Sequence, residues 1–337
     1  MRYRIIDLFA GIGGTRLGFE KAGCISVFSS EWDEASKKTY ASFFGETPHG
    51  DITKAETKAA IKPFDILVAG FPCQPFSSIG KREGFTHSTQ GTLFHDIVEI
   101  LKKHKPAAFL LENVKGLKSH DGGNTYRVIR SALDKIGPNL GYWINDKVLN
   151  AADYGTPQKR ERIYIVGFRK NLCDASTEFE AGTQIGFSFS SLSKLPLVDL
   201  TPHLERKLDD RPISAHLQKV YIHKIDDGRP QILDPRSKQI QIANTLCASY
   251  HKIQRLTGIF VKDGNTGLRL LSENECRAIM GFPKIGEIHN GRVLGAVPVS
   301  RTQMYRQFGN SVAVPVVEKI ANEMVAALKR LGVKSCV

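Results

Sequence analysis

The fold class of this chain is predicted by one stretch near its start, Arg4-Ile5-Ile6-Asp7-Leu8-Phe9-Ala10-Gly11-Ile12-Gly13-Gly14. Its first half is apolar and β-branched, as in a buried strand, and its glycines predict a tight turn. Helical spacing follows as far as Gly23, and a second apolar run, residues 25–28, leads to Glu31. Strand, glycine turn, helix, strand and acid in this order predict a nucleotide-type ligand site, in which the acid bonds ribose hydroxyls.

The glycine pattern alone is a weak signal, because it reads GxGG and lacks the GxGxxG spacing suited to a pyrophosphate. A tight strand-to-helix turn without a ligand explains it equally well. Further strands are predicted at residues 64–69, 107–111 and 162–167, with an amphipathic helix at 93–103 between them. This alternation predicts an α/β fold whose parallel sheet is covered on both faces, with ligands at the carboxyl ends of the strands.

Composition narrows the class of protein. The chain has 337 residues and a formal net charge of +13, which suggests about two domains and a polyanionic partner. No apolar run approaches the length of a membrane span, and the N-terminus lacks the pattern of a secretory signal. Six scattered cysteines without a CxxC pair argue against a disulfide framework or a zinc site. We therefore expect a soluble, cytoplasmic protein without a metal.

Polar residues follow two of the predicted strands. Residues 70–77 read GFPCQPFS and place Cys73 between two prolines, and residues 112–114 read ENV. An isolated cysteine at such a place is more often a small buried hydrophobic residue than a nucleophile. A carboxylate at the matching end of the neighbouring strand favours the second interpretation, in which Cys73 and Glu112 face one crevice.

Six motifs in fixed order carry a resemblance to a known family. They are DLFAGIGG (7–14), GFPCQPFS (70–77), ENV (112–114), QKRERIYIVG (158–167), RLLSENECRAIMGFP (269–283) and QFGNSVAVP (307–315). The chain resembles the DNA (cytosine-5)-methyltransferases of bacterial restriction-modification systems. The resemblance implies a Rossmann-like, S-adenosylmethionine-dependent methyltransferase domain with a mixed, mostly parallel sheet. It also implies a smaller, irregular, mostly β target recognition domain.

The resemblance implies a discontinuous organisation. Residues 1–170 and 305–337 would form the catalytic domain, and residues 171–304 the target recognition domain and its junction. Under this division the net charge is +7 over residues 1–170, +1 over 171–268 and +5 over 269–337. The positive charge would thus attract phosphates from the catalytic and C-terminal segments, while a nearly neutral module reads the bases.

The catalytic residues implied by the resemblance are Cys73, Glu112, Arg160 and Arg162. The Cys73 thiolate would add to position 6 of a flipped-out cytosine, and Glu112 would bind the ring nitrogen on its Watson–Crick edge. Arg160 and Arg162 would orient the base carbonyl and balance developing charge. Surface salt bridges with Glu161 or other acids are the alternative role for these arginines.

The resemblance also implies a cofactor pocket for S-adenosylmethionine. Glu31 would take the ribose hydroxyls, Trp32 and Ile52 would sandwich the adenine, and Asp51 would bond its amino group. The remaining pocket residues would be Phe9, Gly11, Gly13, Gly14, Leu93, Asn310, Ser311 and Val312.

Contacts with DNA are implied for Gln74, Ser77, Lys81 and Thr245. Residues 87–90, His-Ser-Thr-Gln, depart from the family pattern before the Gly-Thr-Leu-Phe that ends this loop. Candidate base readers in the middle region are Arg229, Arg236, Lys238, Gln239, Gln241, Lys252 and Arg255, with a solvated face as the usual alternative.

The expected partner is double-stranded DNA, bound by a monomer, and a cognate restriction endonuclease acting on the same site is a candidate second partner. Three other functions compete with this interpretation. A tRNA cytosine-5 methyltransferase on the same catalytic fold lacks its usual Cys-Phe-Thr tripeptide here. A decayed, non-catalytic DNA-binding protein is disfavoured by the intact Cys73 and Glu112. A nicotinamide-dependent dehydrogenase explains only the glycine turn.

Overall fold

Six strands form the large sheet of the computed structural model, which describes residues 2–72, 93–136, 141–173, 176–206, 211–225, 227–264 and 267–335. The strands are β1 (Arg4–Leu8), β2 (Ile25–Ser30), β3 (Ile66–Gly70), β4 (Ala108–Val114), β5 (Tyr142–Asn150) and β6 (Glu161–Arg169). Their order is β2-β1-β3-β4-β6-β5, and β6 runs antiparallel to both of its neighbours. The sheet is therefore mixed and mostly parallel, as predicted.

Ten α-helices accompany the strands in the described part of the chain. They are α1 (Gly14–Lys21), α2 (Glu34–Phe44), α3 (Ala55–Ala59), α4 (Leu93–His104), α5 (Asn124–Asp134), α6 (Glu178–Ile185), α7 (Ala215–Leu217), α8 (Glu273–Met280), α9 (Arg301–Asn310) and α10 (Val314–Arg330). Single-turn helices lie at Lys115–Lys118, His120–Gly123, Ala151–Tyr154, Lys170–Leu172, Phe189–Ser191, Thr201–His203, Gln218–Ile222 and Tyr250–Lys252. No described helix has both the length and the apolar composition that a membrane crossing requires.

Buried apolar side chains cover the two faces of the sheet. One cluster joins β1, β3 and β6 to α10, and the other joins the opposite faces of the same strands to α4 and α5. The last helix packs directly on α1, where a Cβ on Gly18 would lie 2.6 Å from Val317 Cγ1. Glycine at this position thus permits the close helix contact. Pro315 lies in the first turn of α10, where its missing N–H costs no helical bond.

Within the described residues, the region between the sheet and α9 contains only short strands. These are β7 (Gln231–Leu233), β8 (Ile259–Asp263) and β9 (Gly267–Arg269), which form one small sheet, and the pair β10 (Ile288–His289) and β11 (Arg292–Val293). The predicted capping box is present at the start of α8, where Ser272 and Glu275 bond each other's backbone N–H groups.

Residues 181–192 pack against the large sheet in the same buried cluster as β6 and α10. They follow the predicted boundary at residue 170. The division into 1–170 with 305–337 and 171–304 stays a prediction.

Candidate active site

A cavity of about 650 Å³ lies where β1, β2, β3 and β4 end. Parallel strands bring their carboxyl ends to one edge of a sheet, so the polar residues that follow them converge there. Fourteen of the residues predicted for catalysis or cofactor binding line this one cavity: Phe9, Gly11, Gly14, Glu31, Trp32, Asp51, Ile52, Leu93, Glu112, Arg160, Arg162, Asn310, Ser311 and Val312.

The glycines of the turn are required for different physical reasons. Gly13 does not line the cavity: its φ is +81°, and a Cβ there would lie 2.1 Å from Phe44 Cε2. A Cβ on Gly14 would lie 2.7 Å from the Ser311 hydroxyl. Gly11 differs, because its φ is +56° and a Cβ there would meet no atom within 4 Å. Packing and backbone conformation thus explain Gly13, whereas Gly11 borders open space in the cavity.

Glu31 ties the turn to the second strand. Its Oε2 accepts a hydrogen bond of 2.8 Å from the Gly11 N–H, and its Oε1 accepts one of 2.8 Å from the Asp33 N–H. Burial raises the pKa of Glu31, while these backbone N–H groups act in the opposite direction. The backbone N–H groups of Gly11 and Asp33 therefore hold the carboxyl group in place.

Trp32 and Ile52 differ in exposure although both line the cavity. Trp32 is 71% exposed, and Ile52 is 1% exposed. Asp51 accepts a hydrogen bond of 2.9 Å from the Thr53 N–H through Oδ1. These three side chains surround one end of the cavity with an aromatic face, an aliphatic face and a carboxylate.

Glu112 and Arg162 form an ion pair at the other end. Glu112 lies within β4, which ends at Val114, three residues beyond the end predicted at residue 111. Tyr164 on β6 is its register partner. The Arg162 Nε lies 3.2 Å from Glu112 Oε1. Burial raises the pKa of Glu112, against the opposing charges of Arg162 and then Arg160. A carboxyl group with a raised pKa is closer to holding a proton at neutral pH.

Arg160 holds three chain segments together. Its guanidinium donates through Nη1 to the Leu246 carbonyl at 3.2 Å, and through Nη2 to the carbonyls of Gly309 at 3.1 Å and Ser311 at 2.6 Å. The side chain is 2% exposed, and burial lowers its pKa to about 10, which leaves it protonated at neutral pH. Glu161 pairs with Lys115, and the acid that Arg162 contacts is Glu112 in the cavity.

Thr245 lies beside the cavity wall and does not line it. Its hydroxyl donates to the Lys159 carbonyl at 2.7 Å, and the neighbouring Leu246 N–H donates to the Gln158 side chain at 2.9 Å. The segment around Thr245 is thereby fastened to the chain that leads into Arg160. The role of Thr245 as a DNA contact stays a prediction, and the buried Gln158 that holds the neighbouring Leu246 was not predicted.

Cys73, Gln74, Ser77, Lys81 and residues 87–90 lie outside the described residues. The chain leaves the described part at Pro72 and re-enters it at Leu93, and both of these residues line the cavity. Asn113 of the ENV motif donates to the Phe71 carbonyl at 2.9 Å. The residue that follows Pro72 in the chain is Cys73.

Two candidate base readers form contacts within the middle region itself. Gln241 donates to the Thr201 hydroxyl and to the Asp234 carbonyl, both at 2.8 Å. Arg255 is 8% exposed, pairs with Asp227 and donates to the Ile225 carbonyl at 2.8 Å. For these two, the structure shows internal contacts of the middle region.

Helix α9 contributes cavity residues that sequence analysis missed. Gln303, Arg306 and Gln307 line the cavity together with Asn310. Their spacing of i, i+3, i+4 and i+7 places them on one helix face, and this polar periodicity was the available signal.

Comparison with known proteins decides the family. The family model for C-5 cytosine-specific DNA methylases matches residues 3–326. The chain belongs to the C-5 cytosine-specific DNA methylase family. The assignment confirms the predicted enzyme class, and it favours DNA over the tRNA alternative.

Relatives of this methylase are closely similar over its length. It is 50% identical over 335 residues to Type II methyltransferase M.MspI of Moraxella sp, covering 99% of this chain and 73% of the relative. It is 52% identical over 324 residues to Type II methyltransferase M.BsuFI of Bacillus subtilis, covering 96% and 73%. The crystal structure of S. pombe Dnmt2 methyltransferase shares the fold, with a TM-score of 0.69, 19% identity and coverage of 97% and 99%.

Proposed function

We propose that this methylase transfers a methyl group from S-adenosylmethionine to carbon 5 of a cytosine within a specific duplex DNA sequence. The observation that carries the proposal is one cavity that joins Glu31, Trp32 and Asp51 at one end to the Glu112–Arg162 pair at the other. Type II methyltransferases among its relatives support a role as the modification enzyme of a restriction-modification system.

The cavity fits S-adenosylmethionine by its shape and its polar groups. Gly11 borders open space, and Gln307 Nε2 is a buried donor that has no partner within the described residues. Glu31 would take the ribose hydroxyls, Trp32 and Ile52 the faces of the adenine, and Asp51 its amino group. When bound, this cofactor supplies an electrophilic methyl group next to the base.

The reaction needs a nucleophile because carbon 5 of cytosine is unreactive on its own. The Cys73 thiolate would add to carbon 6, which makes carbon 5 nucleophilic. Glu112, with its raised pKa, would hold a proton at the ring nitrogen as negative charge develops there. Loss of the proton on carbon 5 and elimination of Cys73 then restore the aromatic ring in the methylated product.

Arg162 and Arg160 would act at different distances from the base. Arg162 reaches Glu112 and can balance the charge of the reacting ring. Arg160 is saturated by backbone carbonyls through both Nη atoms and would act by fixing the wall around Leu246 and Ser311. We therefore assign positioning to Arg160, and contact with the base carbonyl to Arg162.

The target cytosine must leave the duplex to reach such a cavity, at a cost of a few kcal/mol for unstacking. Gln74, Ser77, Lys81 and Thr245 would contact the DNA during this step. We further propose a monomeric, cytoplasmic enzyme without a metal, and a cognate restriction endonuclease that acts on the same site.

Methyl transfer to DNA by the purified protein tests the proposal. Wild type should transfer labelled methyl groups from S-adenosylmethionine to duplex DNA, and Cys73→Ala should abolish transfer while still binding S-adenosylhomocysteine. Cys173→Ala is the matched control, because Cys173 does not line the cavity, and it should retain activity. DNA containing 5-fluorocytosine should trap a covalent adduct in the wild type and in Cys173→Ala, but not in Cys73→Ala. Transfer by Cys73→Ala at the wild-type rate would refute the mechanism.

The recognition sequence is accessible to a separate measurement. Bisulfite sequencing of host DNA that carries the gene should show one short sequence motif with complete cytosine methylation. Protection of that motif from a restriction endonuclease would establish the second partner. Methylation spread over unrelated sequences would contradict a modification enzyme with a defined site.

A further inference from the structure

An exposed, basic loop follows β7 at residues 235–240. The side chains of Arg236, Lys238 and Gln239 are exposed, and the loop contains no acidic residue. Its tip is held by its own hydrogen bonds: the Ser237 hydroxyl donates to the Gln239 carbonyl at 3.1 Å and accepts from the Gln239 N–H at 3.0 Å. A positive and preordered loop is suited to contact DNA, because it loses little conformational freedom on binding.

Two glutamine side chains join the chain on the two sides of this loop. The Gln241 amide, after the loop, accepts from the Asp234 N–H and donates to the Asp234 carbonyl, both at 2.8 Å. The Gln231 amide, before the loop, donates to the Ile242 carbonyl at 2.7 Å and accepts from the Asn244 N–H at 2.6 Å. Each amide thereby bonds the backbone as a peptide group of a neighbouring strand would.

Residues 231–234 and 241–244 form a stem below the loop, with the two glutamine amides as its cross-links. The second arm of the stem lies alongside the chain that leads into β6. There the Lys159 N–H donates to the Ala243 carbonyl at 2.8 Å, and the Ala243 N–H donates to the Pro157 carbonyl at 2.9 Å. Hydrogen bonds on both sides of this arm therefore connect the exposed loop to the large sheet.

The second arm continues directly into the wall of the cavity. Leu246 comes six positions after the end of the loop, and its carbonyl accepts a hydrogen bond of 3.2 Å from Arg160, which lines the cavity. The Gln158 amide, which is completely buried, accepts from the Leu246 N–H at 2.9 Å and donates to the Ile279 carbonyl at 2.9 Å. The position of the loop is thereby tied to the position of the cavity wall.

We propose that Gln231 and Gln241 are positioning residues for sequence discrimination. Their amides hold the 235–240 loop at a fixed place relative to the Arg160 wall, so a DNA sequence that fits the loop also places its target cytosine correctly in the cavity. A wrong sequence displaces the cytosine instead, and a displacement of about 1 Å can cost about 100-fold in rate. A loop on a loosened stem would move to accommodate the wrong sequence. The inference rests on the proposed function, which supplies duplex DNA as the substrate.

Discrimination is measured on short duplexes once bisulfite sequencing has identified the methylated sequence. The value of kcat/KM for that sequence is divided by the value for duplexes in which one base pair is replaced. Gln231→Met keeps the length of the side chain but cannot form either hydrogen bond. It should lower this ratio by about 3- to 10-fold at the positions that the loop contacts, as for one or two lost hydrogen bonds. An unchanged ratio at every position would overturn the proposal, even if the overall rate fell.

Gln218→Met is the matched control for a purely structural effect. Gln218 lies in the same region, and its Nε2 donates to the carbonyl of Ile213, outside the stem, at 2.6 Å. Both Met variants should lower the unfolding midpoint by a similar amount, less than about 4 °C. Gln218→Met should nevertheless keep the wild-type ratio at every position. Equal loss of discrimination in the two variants would overturn the proposal.

Gln241→Met tests the other cross-link, and it carries the test if Gln231→Met does not fold. Because both amides support the same loop, the two variants should lose discrimination at the same positions of the DNA sequence. Full discrimination in Gln241→Met, or a loss at different positions, would overturn the proposal.

A loop variant with Arg236→Ala, Lys238→Ala and Gln239→Ala tests whether the stem acts through the loop. Gln231→Met should cause no further loss of discrimination in this background, because the loop has lost the polar side chains that the stem positions. The same fractional loss in both backgrounds would overturn the proposal. A wild-type protein that methylates no DNA would refute the proposed function, whereas intact discrimination in both stem variants would refute this inference alone.

Discussion

The six-stranded sheet and residues 193–300 are stabilised by different interactions. In the sheet, β1, β3 and β4 are nearly continuous apolar runs, and buried side chains cover both faces. The 193–300 region has strands of two to five residues, and buried charges bonded to the backbone lie among its apolar side chains. Arg277, for example, is completely buried and donates to the Pro283 and Gly295 carbonyls.

Two fully buried carboxyl groups show the difference directly. Glu275 on α8 accepts hydrogen bonds from Arg269 at 2.7 and 2.8 Å, from the Ser272 N–H at 2.7 Å and from the Glu205 N–H at 2.8 Å. Asp7 on β1 pairs with no described side chain, and only the charge and the backbone N–H of Arg16 oppose the effect of its burial. The two carboxyl groups are therefore accommodated differently: burial favours the protonated form of Asp7, whereas Glu275 is paired with Arg269 and with backbone N–H groups.

The largest effect is expected where a sheet strand carries a reacting group. Glu112→Gln removes the proton-donating carboxyl group from β4, and methyl transfer should fall by about 10²- to 10⁴-fold, as for loss of a general acid. Initial rates with labelled S-adenosylmethionine measure this change. Binding of S-adenosylhomocysteine and the unfolding midpoint should stay at wild-type values. Activity within about threefold of wild type would show that Glu112 transfers no proton.

In the 193–300 region, the free energy of unfolding should be most sensitive to loss of one member of the buried Arg269–Glu275 pair. Arg269→Met leaves Glu275 buried without its counter-ion, which should cost about 3–5 kcal/mol of the free energy of unfolding. Urea unfolding measures this cost, and Arg236→Met, at an exposed arginine of the same region, is the control. A loss below about 1 kcal/mol would contradict a structural role for the pair.

The contact between α9 and residues 247–248 of the 193–300 region can be tested by a substitution with a smaller expected effect. A Cβ on Gly309 of α9 would lie 2.3 Å from the Ala248 backbone nitrogen and 2.4 Å from the Cys247 carbonyl carbon. Gly309→Ala should therefore destabilise the protein by about 1–3 kcal/mol through overpacking. Gly182→Ala is the matched control, since its Cβ would meet no atom within 4 Å, and it should stabilise α6 by up to about 1 kcal/mol. Equal unfolding midpoints for Gly309→Ala and wild type would show that the backbone around Ala248 shifts to accept the added methyl group.

The sheet was largely predictable because its strands are buried on both faces and read as apolar runs. Helix α4 was predicted at 93–103 and spans Leu93–His104. Strand β5 was missed: it lies at the sheet edge and alternates buried and partly exposed side chains, so its sequence, YWINDKVLN, mixes polar and apolar residues.

Most of the residues that line the cavity were predicted from motifs. The contacts that were not predicted join residues far apart in the chain. Glu31 directly follows a strand-like segment, so its place at the sheet edge follows from topology. Asp51 follows a turn that joins the sheet edge through an isolated bridge between Ser30 and His49. The hydrogen bond between Gln307 and the buried Thr39 joins positions 268 residues apart, and no local pattern predicts it. The carbonyl partners of Arg160 likewise come from segments 86 to 151 positions away.

Asp7 gives the smallest and most specific test of the comparison. Burial raises the pKa of Asp7 to about 8, against the opposing charge of Arg16, so the folded protein binds a proton that the unfolded chain releases near pH 4. Its contribution to stability is fully present below about pH 4 and is lost as the pH rises through about 8. Asp7→Asn keeps the shape and cannot ionise.

Urea unfolding of wild type and Asp7→Asn at pH 5.5, 7.0 and 8.5 measures the effect. The free energy of unfolding of the wild type should fall relative to the variant by about 1 kcal/mol or more across this range. Glu275→Gln is the contrasting variant, because it removes a carboxylate that Arg269 requires, and it should be destabilised at all three pH values. Parallel curves for wild type and Asp7→Asn would mean that Asp7 is ionised in the folded sheet, and that both regions stabilise their buried acids as charges.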